Sequence, residues 1–199
     1  MRHRWKFEHE CLESGYKFVA GVDEVGMGCL AGPVVAAAVI FASDNVPTAV
    51  RDSKLLTHQK RVEVQKQILE CAVAVAIGHA EVDEIDSINI YQAGKLAMVR
   101  AIEKLSIRPD FLLIDGRGKL DIDIPQRPII KGDSLSLSIG AASIVAKVFR
   151  DEWMGRLDEE FPGYGFAQHK GYGSVFHRRC LQEKGRSPIH RKTFSWTPV

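Results

Sequence analysis

Three short apolar runs in this sequence each lead into a carboxylate. Buried apolar runs of this length are typical of strands in the interior of a sheet, and open α/β sheets place their functional sites beyond the strand ends. The pattern therefore predicts an α/β sheet with acidic side chains gathered at one edge. The runs and their acids are Phe18–Val22 with Asp23 and Glu24, Phe111–Ile114 with Asp115, and Pro128–Ile130 with Asp133 after Lys131 and Gly132.

The remaining pattern completes a mixed sheet. In chain order, the first three strand candidates are 18–22, 34–41 and 71–77, and only a short connection separates the first two. This arrangement favours an antiparallel meander. Strands then alternate with helices, so a mixed sheet flanked by helices is expected. The further strand candidates are 34–41, 71–77 and 127–130, and the helix candidates are 57–70, 87–105 with Ser87 as N-cap, 139–154 and 174–184.

The acids have two possible explanations at this stage. Asp next to Gly after a strand is often only a turn residue, and for each site alone a turn is the better explanation. Four carboxylates at one edge would repel one another, and a divalent cation such as Mg²⁺ or Mn²⁺, which prefers hard oxygen ligands, would remove that conflict. Taken together, the three sites favour a metal centre and a set of turns equally.

Two other enzyme classes fit the sequence poorly. Gly26–Ala31 matches the G-x-G-x-x-A dinucleotide fingerprint, which must open a helix. Here Gly32-Pro33 and a β-rich run follow, and two acids before the glycines would repel a pyrophosphate. There is also no G-x-S-x-G element, which argues against a Ser/His/Asp hydrolase.

Composition narrows the class of protein further. The 27 Lys and Arg residues against 25 Asp and Glu give a net charge of +2. A net charge this small does not by itself argue for or against nucleic-acid binding. From residue 164 onward, however, the chain has seven Lys and Arg residues and one acid, Glu183. The C-terminal fifth is therefore predicted to present a basic helical surface. Four separated cysteines without C-x-x-C favour reduced thiols and a cytoplasmic protein. No apolar stretch reaches the ~18 residues of a membrane span.

The motifs together resemble one known family, ribonuclease HII. The resemblance runs from about Phe18 to Phe194, with the motifs in order. The matching segments are Gly21–Val34, Asp52–Leu55, Leu113–Gly116, Lys131–Asp133, Ile139–Val148, His169–Gly173 and Ser187–Arg191.

This resemblance implies a ribonuclease-H-like fold, a mixed five-stranded sheet with flanking helices. It divides the chain into an N-terminal extension, 1–16, and a type 2 ribonuclease H domain, 17–199. The implied activity is endonucleolytic cleavage of RNA paired with DNA, including one ribonucleotide within duplex DNA, leaving 5′-phosphate and 3′-hydroxyl ends. The implied cofactor is Mg²⁺ or Mn²⁺. The expected protein is a cytoplasmic monomer that binds RNA–DNA hybrids and ribonucleotide-containing duplex DNA and no membrane.

The resemblance also assigns residues. Asp23, Glu24, Asp115 and Asp133 occupy the positions of the family's metal-binding and catalytic carboxylates. Gly26, Met27 and Gly28 form the loop that reads the ribose 2′-hydroxyl, and Tyr172 occupies the position of the tyrosine that packs on the sugar. Lys54, Lys131 and Lys170 are expected phosphate contacts.

One residue departs from the family pattern. The family usually has Gly-Arg-Gly in this loop, whereas the present chain has Met27 between the glycines. The alternative function is therefore a catalytically weak nucleic-acid-binding module of the same fold, and a general structure-specific nuclease is a third possibility. Metal-dependent nicking of a hybrid and of an all-DNA duplex separates the three.

Overall fold

The computed structural model describes residues 2–44, 46–47, 49–50 and 56–199. A 3₁₀ turn, Arg2–Trp5, precedes the first helix. The helices are α1 Lys6–Glu13, α2 His58–Cys71, α3 Val82–Ile88, α4 Ile90–Glu103, α5 Gly132–Leu135, α6 Leu137–Glu160, α7 Phe166–His169 and α8 Val175–Lys184. The strands are β1 Val19–Val25, β2 Val34–Ile40, β3 Ala74–Ala80, β4 Phe111–Asp115 and β5 Gln126–Ile129.

The five strands form one mixed sheet in the order β3-β2-β1-β4-β5. β1 with β2 and β2 with β3 are antiparallel, whereas β1 with β4 and β4 with β5 are parallel. The predicted antiparallel meander and the mixed five-stranded sheet are thus confirmed. Because β1 and β4 are parallel neighbours, their carboxyl ends lie side by side at one edge.

Helices cover both faces of the sheet. Alternate residues of β2 belong to opposite cores: Val34, Ala36, Ala38 and Ile40 pack with α4, and Val35, Ala37 and Val39 pack with α2 and α6. Small residues in the first half of α6, among them Gly140, Ala141 and Ala142, allow its backbone to approach the sheet closely. A Cβ added to Gly21 would lie 2.1 Å from the carbonyl carbon of Ser138, so only glycine fits there.

The predicted helix over 87–105 is in fact two helices, α3 and α4. Ser87 lies inside the last turn of α3, where its hydroxyl donates to the carbonyl of Asp83. The helix is interrupted at Asn89, which has φ 67°. Its Oδ1 accepts hydrogen bonds from the amides of Tyr91 and Gln92. Asparagine tolerates this left-handed conformation and is a strong N-cap, so Asn89 takes the role predicted for Ser87.

The predicted strand over 71–77 begins later than expected. Cys71 closes α2, and β3 starts only at Ala74. An apolar run alone does not distinguish the end of a buried helix from the start of a strand.

The N-terminal helix docks against the start of α6. Glu8 is only 1% exposed, and its Oε1 accepts hydrogen bonds from the Ser136 hydroxyl and the Ser138 amide. Arg4 Nη2 donates to the carbonyl of Asp133 at 2.6 Å. Residues predicted as an extension therefore contact the turn that carries one of the acids, and the boundary at residue 16 stays a prediction.

In the part of the chain that the structure describes, every helix is too short or too polar to cross a membrane.

Candidate active site

Two of the predicted acids end neighbouring parallel strands. Val22 pairs with Ile114, so the residues that follow, Asp23 and Asp115, lie next to each other at the carboxyl edge. Asp23 is 5% exposed, and its Oδ1 accepts the amide of Glu24 at 2.8 Å. Burial raises the pKa of Asp23 well above its usual value, and the charges of Glu24 and Asp115 raise it further.

Glu24 lies beside this pair with one oxygen unsatisfied. Burial and the charge of Asp115 raise the pKa of Glu24 to about 7. Its Oε2 is buried and has no hydrogen-bond partner among the described residues. A buried acceptor without a partner is costly, so this atom is a place where a ligand would gain energy.

The fourth acid reaches the same edge from α5. Asp133 is 8% exposed, and its amide donates to Asp115 Oδ1 at 3.3 Å. A Cβ added to Gly132 would lie 3.2 Å from that oxygen and 2.6 Å from a methyl of Ile139. The glycine before Asp133 therefore lets the turn approach Asp115.

The donor set fits a divalent cation. All four side chains offer hard oxygen ligands of the kind that Mg²⁺ and Mn²⁺ prefer, and a cation would relieve the repulsion that raises the pKa of Asp23 and Glu24. As the side chains stand, no three His, Cys, Asp or Glu groups in the described ranges are arranged to hold one ion between them. The fit is thus one of chemistry and burial.

Two fully buried arginines support the loop that follows β1. Arg191 donates to the carbonyls of Gly26, Met27 and Gly32, at distances from 2.7 to 3.1 Å. Arg150 donates to the carbonyls of Ala31, Pro33 and Lys170. Both side chains are 0% exposed, and burial lowers the pKa of Arg191 to about 10.

These contacts fix which way the loop amides face. In a trans peptide the N–H is opposite the C=O. Because the carbonyls of Gly26 and Met27 face Arg191, the amides of Met27 and Gly28 face away from it. Among the described residues, a Cβ added to Gly28 would meet nothing within 4 Å, and Gly26 has φ +97°, a conformation that favours glycine.

Sequence reasoning misplaced Arg191 and missed Arg150. Arg191 was expected on the basic C-terminal surface, but it is buried because its five donors match a loop rich in carbonyls. Arg150 looked like one more residue of α6. The only signal for either was the glycine-rich loop itself, which needs donors for its inward carbonyls.

Tyr172 lies on the other side of this loop. It is 42% exposed and pairs with Cys29 of the loop in an isolated β-bridge. The ammonium of Lys147 is 5.9 Å from the centre of its ring. Tyr172 therefore borders the glycine loop with part of its surface accessible, and its contact with the sugar stays a prediction.

The predicted lysines are placed less uniformly. Lys131 and Lys170 both have left-handed backbones, with φ 57° and 54°. Lys131 is exposed next to Asp133, and Lys170 Nζ donates to the carbonyl of Asp151. Lys54, with the rest of the 52–55 motif, lies outside the described residues.

Three histidines support the segment that carries Tyr172. His177 Nδ1 is 2.9 Å from the Tyr172 carbonyl, which only accepts, so Nδ1 carries the proton. Burial lowers the pKa of His177 and His190 to about 4. Both rings are therefore neutral at pH 7, and His190 Nε2–H donates to His177 Nε2 at 3.0 Å. His190 Nδ1 accepts the Ser187 amide.

His169 completes this support. Its ring stacks on His177 at 4.3 Å, its Nε2 donates to the Tyr164 carbonyl, and its Nδ1 accepts the Gly171 amide. The histidines thus serve as neutral hydrogen-bonding groups and not as part of a charged surface. The basic face predicted for the C-terminal segment stays a prediction for its exposed members, Arg179, Lys184, Arg186 and Lys192.

Comparisons with known proteins agree on one family. The family model described as Ribonuclease HII matches residues 20–197. Ribonuclease HII of Myxococcus xanthus is 53% identical over 98% of this chain and 67% of its own length. That of Geobacter metallireducens is 51% identical over 97% of this chain and 91% of its own length. The crystal structure of ribonuclease H2 from Pyrococcus horikoshii has a TM-score of 0.75 at 25% identity, covering 89% of this chain and 94% of that one.

Proposed function

The chain belongs to the ribonuclease HII family, and on that premise we propose that it cleaves at single ribonucleotides in duplex DNA as well as in longer hybrids. It is a metal-dependent endoribonuclease that acts on the RNA strand of RNA–DNA hybrids. The proposed products carry 5′-phosphate and 3′-hydroxyl ends. The observation that carries the proposal is the edge of buried and half-buried acids beside a glycine loop whose amides face away from Arg191.

The four acids are proposed to hold the divalent cation, Mg²⁺ or Mn²⁺. When bound, the cation neutralises these carboxylates and stabilises the charge that develops on the phosphodiester. Asp23 and Asp115 supply oxygens from adjacent strands, and Glu24 adds the buried Oε2 that has no partner among the described residues. Asp133 reaches them through its hydrogen bond to Asp115.

The glycine loop is proposed to read the 2′-hydroxyl. This hydroxyl alone distinguishes RNA from DNA at one nucleotide, and it is small, so main-chain groups must approach it closely. The amides of Met27 and Gly28 are fixed in direction by Arg191, and no side chain of the described residues covers Gly28. The accessible ring of Tyr172 is proposed to support the adjoining sugar irrespective of sequence.

The lysines Lys131 and Lys170 are proposed to contact phosphates, as is Lys54. A left-handed backbone disfavours side chains other than glycine or asparagine, yet lysine stands at both described positions next to the acids and Tyr172. That cost is accounted for if the ammonium groups serve the substrate. We also propose a monomer in the cytoplasm, with ribonucleotide-containing duplexes as its partners.

Three duplexes test the proposal: an RNA–DNA hybrid, a DNA duplex with one ribonucleotide, and an all-DNA duplex, each with Mg²⁺, with Mn²⁺ and with chelator. We expect metal-dependent cleavage of the first two only, with 5′-phosphate ends. Cleavage of the all-DNA duplex would instead indicate a general nuclease, and binding without cleavage would indicate a binding module.

A tyrosine variant tests the reading of the ribonucleotide. Tyr172→Ala is expected to cost roughly 1–3 kcal/mol of transition-state stabilisation on the single-ribonucleotide duplex, which lowers the rate about 5- to 150-fold. The longer hybrid should lose less. Phe176→Ala removes a nearby exposed ring as a control. Equal losses on both substrates with a lower melting temperature would assign Tyr172 to packing.

A further inference from the structure

A cavity of about 90 Å³ lies among the glycine loop, α4 and the loop after β4. Its lining includes the acids Glu24 and Asp115. It also includes Lys95 of α4 and Arg117, two residues beyond Asp115. The cavity thus brings two cations next to two of the proposed metal-binding carboxylates.

Lys95 is held in place by its neighbours. Its side chain is half-buried, and its Nζ is 4.8 Å from the centre of the Tyr91 ring. The loop after β4 packs down on the pair, since a Cβ added to Gly118 would lie 2.4 Å from the Tyr91 hydroxyl and 3.5 Å from Lys95 Nζ. A lysine fixed in this way loses less side-chain entropy when it binds a ligand.

Among the described residues, Lys95 makes no ion pair with an acid. Within the described ranges, no carboxylate oxygen lies within 4.0 Å of its ammonium, although Glu24 and Asp115 line the same cavity. Arg117 is exposed and makes no ion pair among those residues. Lys95 and Arg117 thus line the cavity without pairing with an acid of the described residues. Their charges are available to a ligand that is itself negatively charged.

The glycine loop supplies no cation on this side. The Met27 side chain turns toward α4, where a Cβ added to Gly94 would lie 3.0 Å from its sulfur. Gly94 immediately precedes Lys95, so the methionine and the lysine enter the cavity side by side. The charge that residue 27 lacks is therefore present on the neighbouring helix.

We propose that Lys95, assisted by Arg117, binds a phosphodiester group of the ribonucleotide-containing strand next to the one that is cleaved. This assignment rests on the proposed function, since it takes the acids as the place of cleavage. Lys95 is then a substrate-binding residue whose ammonium acts as a point charge on a phosphate, and Met27 is tolerated because α4 provides that charge.

The test compares Lys95→Met with Lys104→Met, which removes an exposed lysine at the far end of α4. Hybrid binding is measured with chelator at several salt concentrations, and cleavage is measured with Mg²⁺. Lys95→Met is expected to raise Kd and KM about tenfold and to reduce the log–log salt slope by about 0.9, with kcat within about twofold. Lys104→Met should leave the slope and KM unchanged.

Two further variants keep the result decisive. Lys95→Arg should retain the salt slope of the unsubstituted enzyme. Met27→Arg combined with Lys95→Met should restore that slope, because the guanidinium introduced at residue 27 would enter the same cavity. An unchanged slope and KM in Lys95→Met overturns the proposal, and so does a loss confined to kcat. The proposed function can fail separately from this contact. If the unsubstituted enzyme bound the hybrid and Lys95→Met reduced its salt slope by about 0.9, but neither protein cleaved the hybrid, the phosphate contact would stand and the proposed function would fail.

Discussion

The acid edge and the C-terminal support both bury polar groups, but they treat them in opposite ways. We define the acid edge as Asp23, Glu24, Asp115 and Asp133, and the C-terminal support as His169, His177, His190 and Arg191. At the edge, burial and then like charges raise the pKa of Asp23 and Glu24, and Glu24 Oε2 has no partner among the described residues. In the support, the ring nitrogens and the guanidinium meet matching donors or acceptors.

The difference separates a site from its scaffold. A buried polar network whose members are all satisfied makes the structure rigid and specific. A buried group without a partner keeps an energetic cost that a ligand can remove. The C-terminal support therefore holds the glycine loop and Tyr172 in position, whereas the acid edge is where a ligand gains most.

The largest expected effect is at the acid edge. Asp115→Asn keeps the shape of the side chain and removes one negative charge. We expect cleavage of the hybrid to fall by at least about 10²-fold, because cation binding contributes several kcal/mol to such reactions. Hybrid binding should remain. The melting temperature without metal should stay the same or rise, since the charge of Asp115 opposes those of Asp23 and Glu24.

The matched control is Asp123→Asn, at an exposed position in the loop between β4 and β5. It should change neither the cleavage rate nor the stability. Wild-type cleavage by Asp115→Asn would remove this residue from the site. A marked drop in melting temperature would place Asp115 with the satisfied groups of the scaffold and so break the comparison.

The next effect concerns the scaffold. Arg191→Met would leave the carbonyls of Gly26, Met27 and Gly32 without the donors that they now have. Unsatisfied buried groups cost about 1–3 kcal/mol each, so we expect the free energy of unfolding to fall by roughly 3 kcal/mol or more in urea denaturation. Discrimination between a ribonucleotide and a deoxyribonucleotide should fall as well, since the loop amides lose their fixed direction.

Arg179→Met, on the exposed face of α8, removes the same charge without those contacts. Its effect should stay within about 0.5 kcal/mol, as for most surface substitutions. Equal effects of the two substitutions would mean that Arg191 contributes only charge.

The smallest effect is a pair of opposite pH dependences. The pKa of His177 and His190 is lowered to about 4 from 6.5, so between those values the unfolded chain binds more protons and stability rises with pH. The pKa of Glu24 is raised from 4.5 to about 7, so across that window the folded protein binds more protons and stability falls as pH rises.

Glu24→Gln removes the share of Glu24 in the falling branch, to which Asp23 and Glu8 also contribute. In denaturation without metal, its gain in the free energy of unfolding over the unsubstituted protein should be near zero at pH 4.5 and on the order of 3 kcal/mol at pH 8. Glu159→Gln, at an exposed position, should show no such trend. A constant difference at all pH values would mean that Glu24 is not strained by its neighbours.

Much of the site was accessible from the sequence. The acids followed apolar runs, and parallel neighbours necessarily bring such ends together, so Asp23 and Asp115 meet as expected. The break at Asn89 was missed because helical periodicity continues across it, and the left-handed cap that interrupts the helix adds only a local signal. The Met27 side chain packs toward Gly94 and lines the cavity beside Glu24 and Asp115, and its contact with substrate stays a prediction.

The sequence by itself determined the strands, the order of the acids and the glycines between them, because burial and backbone freedom are written in residue type and spacing. The tertiary structure decided which charges are satisfied. Arg191 and Lys192 are adjacent basic residues, yet one is buried under the glycine loop and the other is exposed. The difference depends on which carbonyls lie within hydrogen-bonding distance, and those belong to residues more than 150 positions away in the chain.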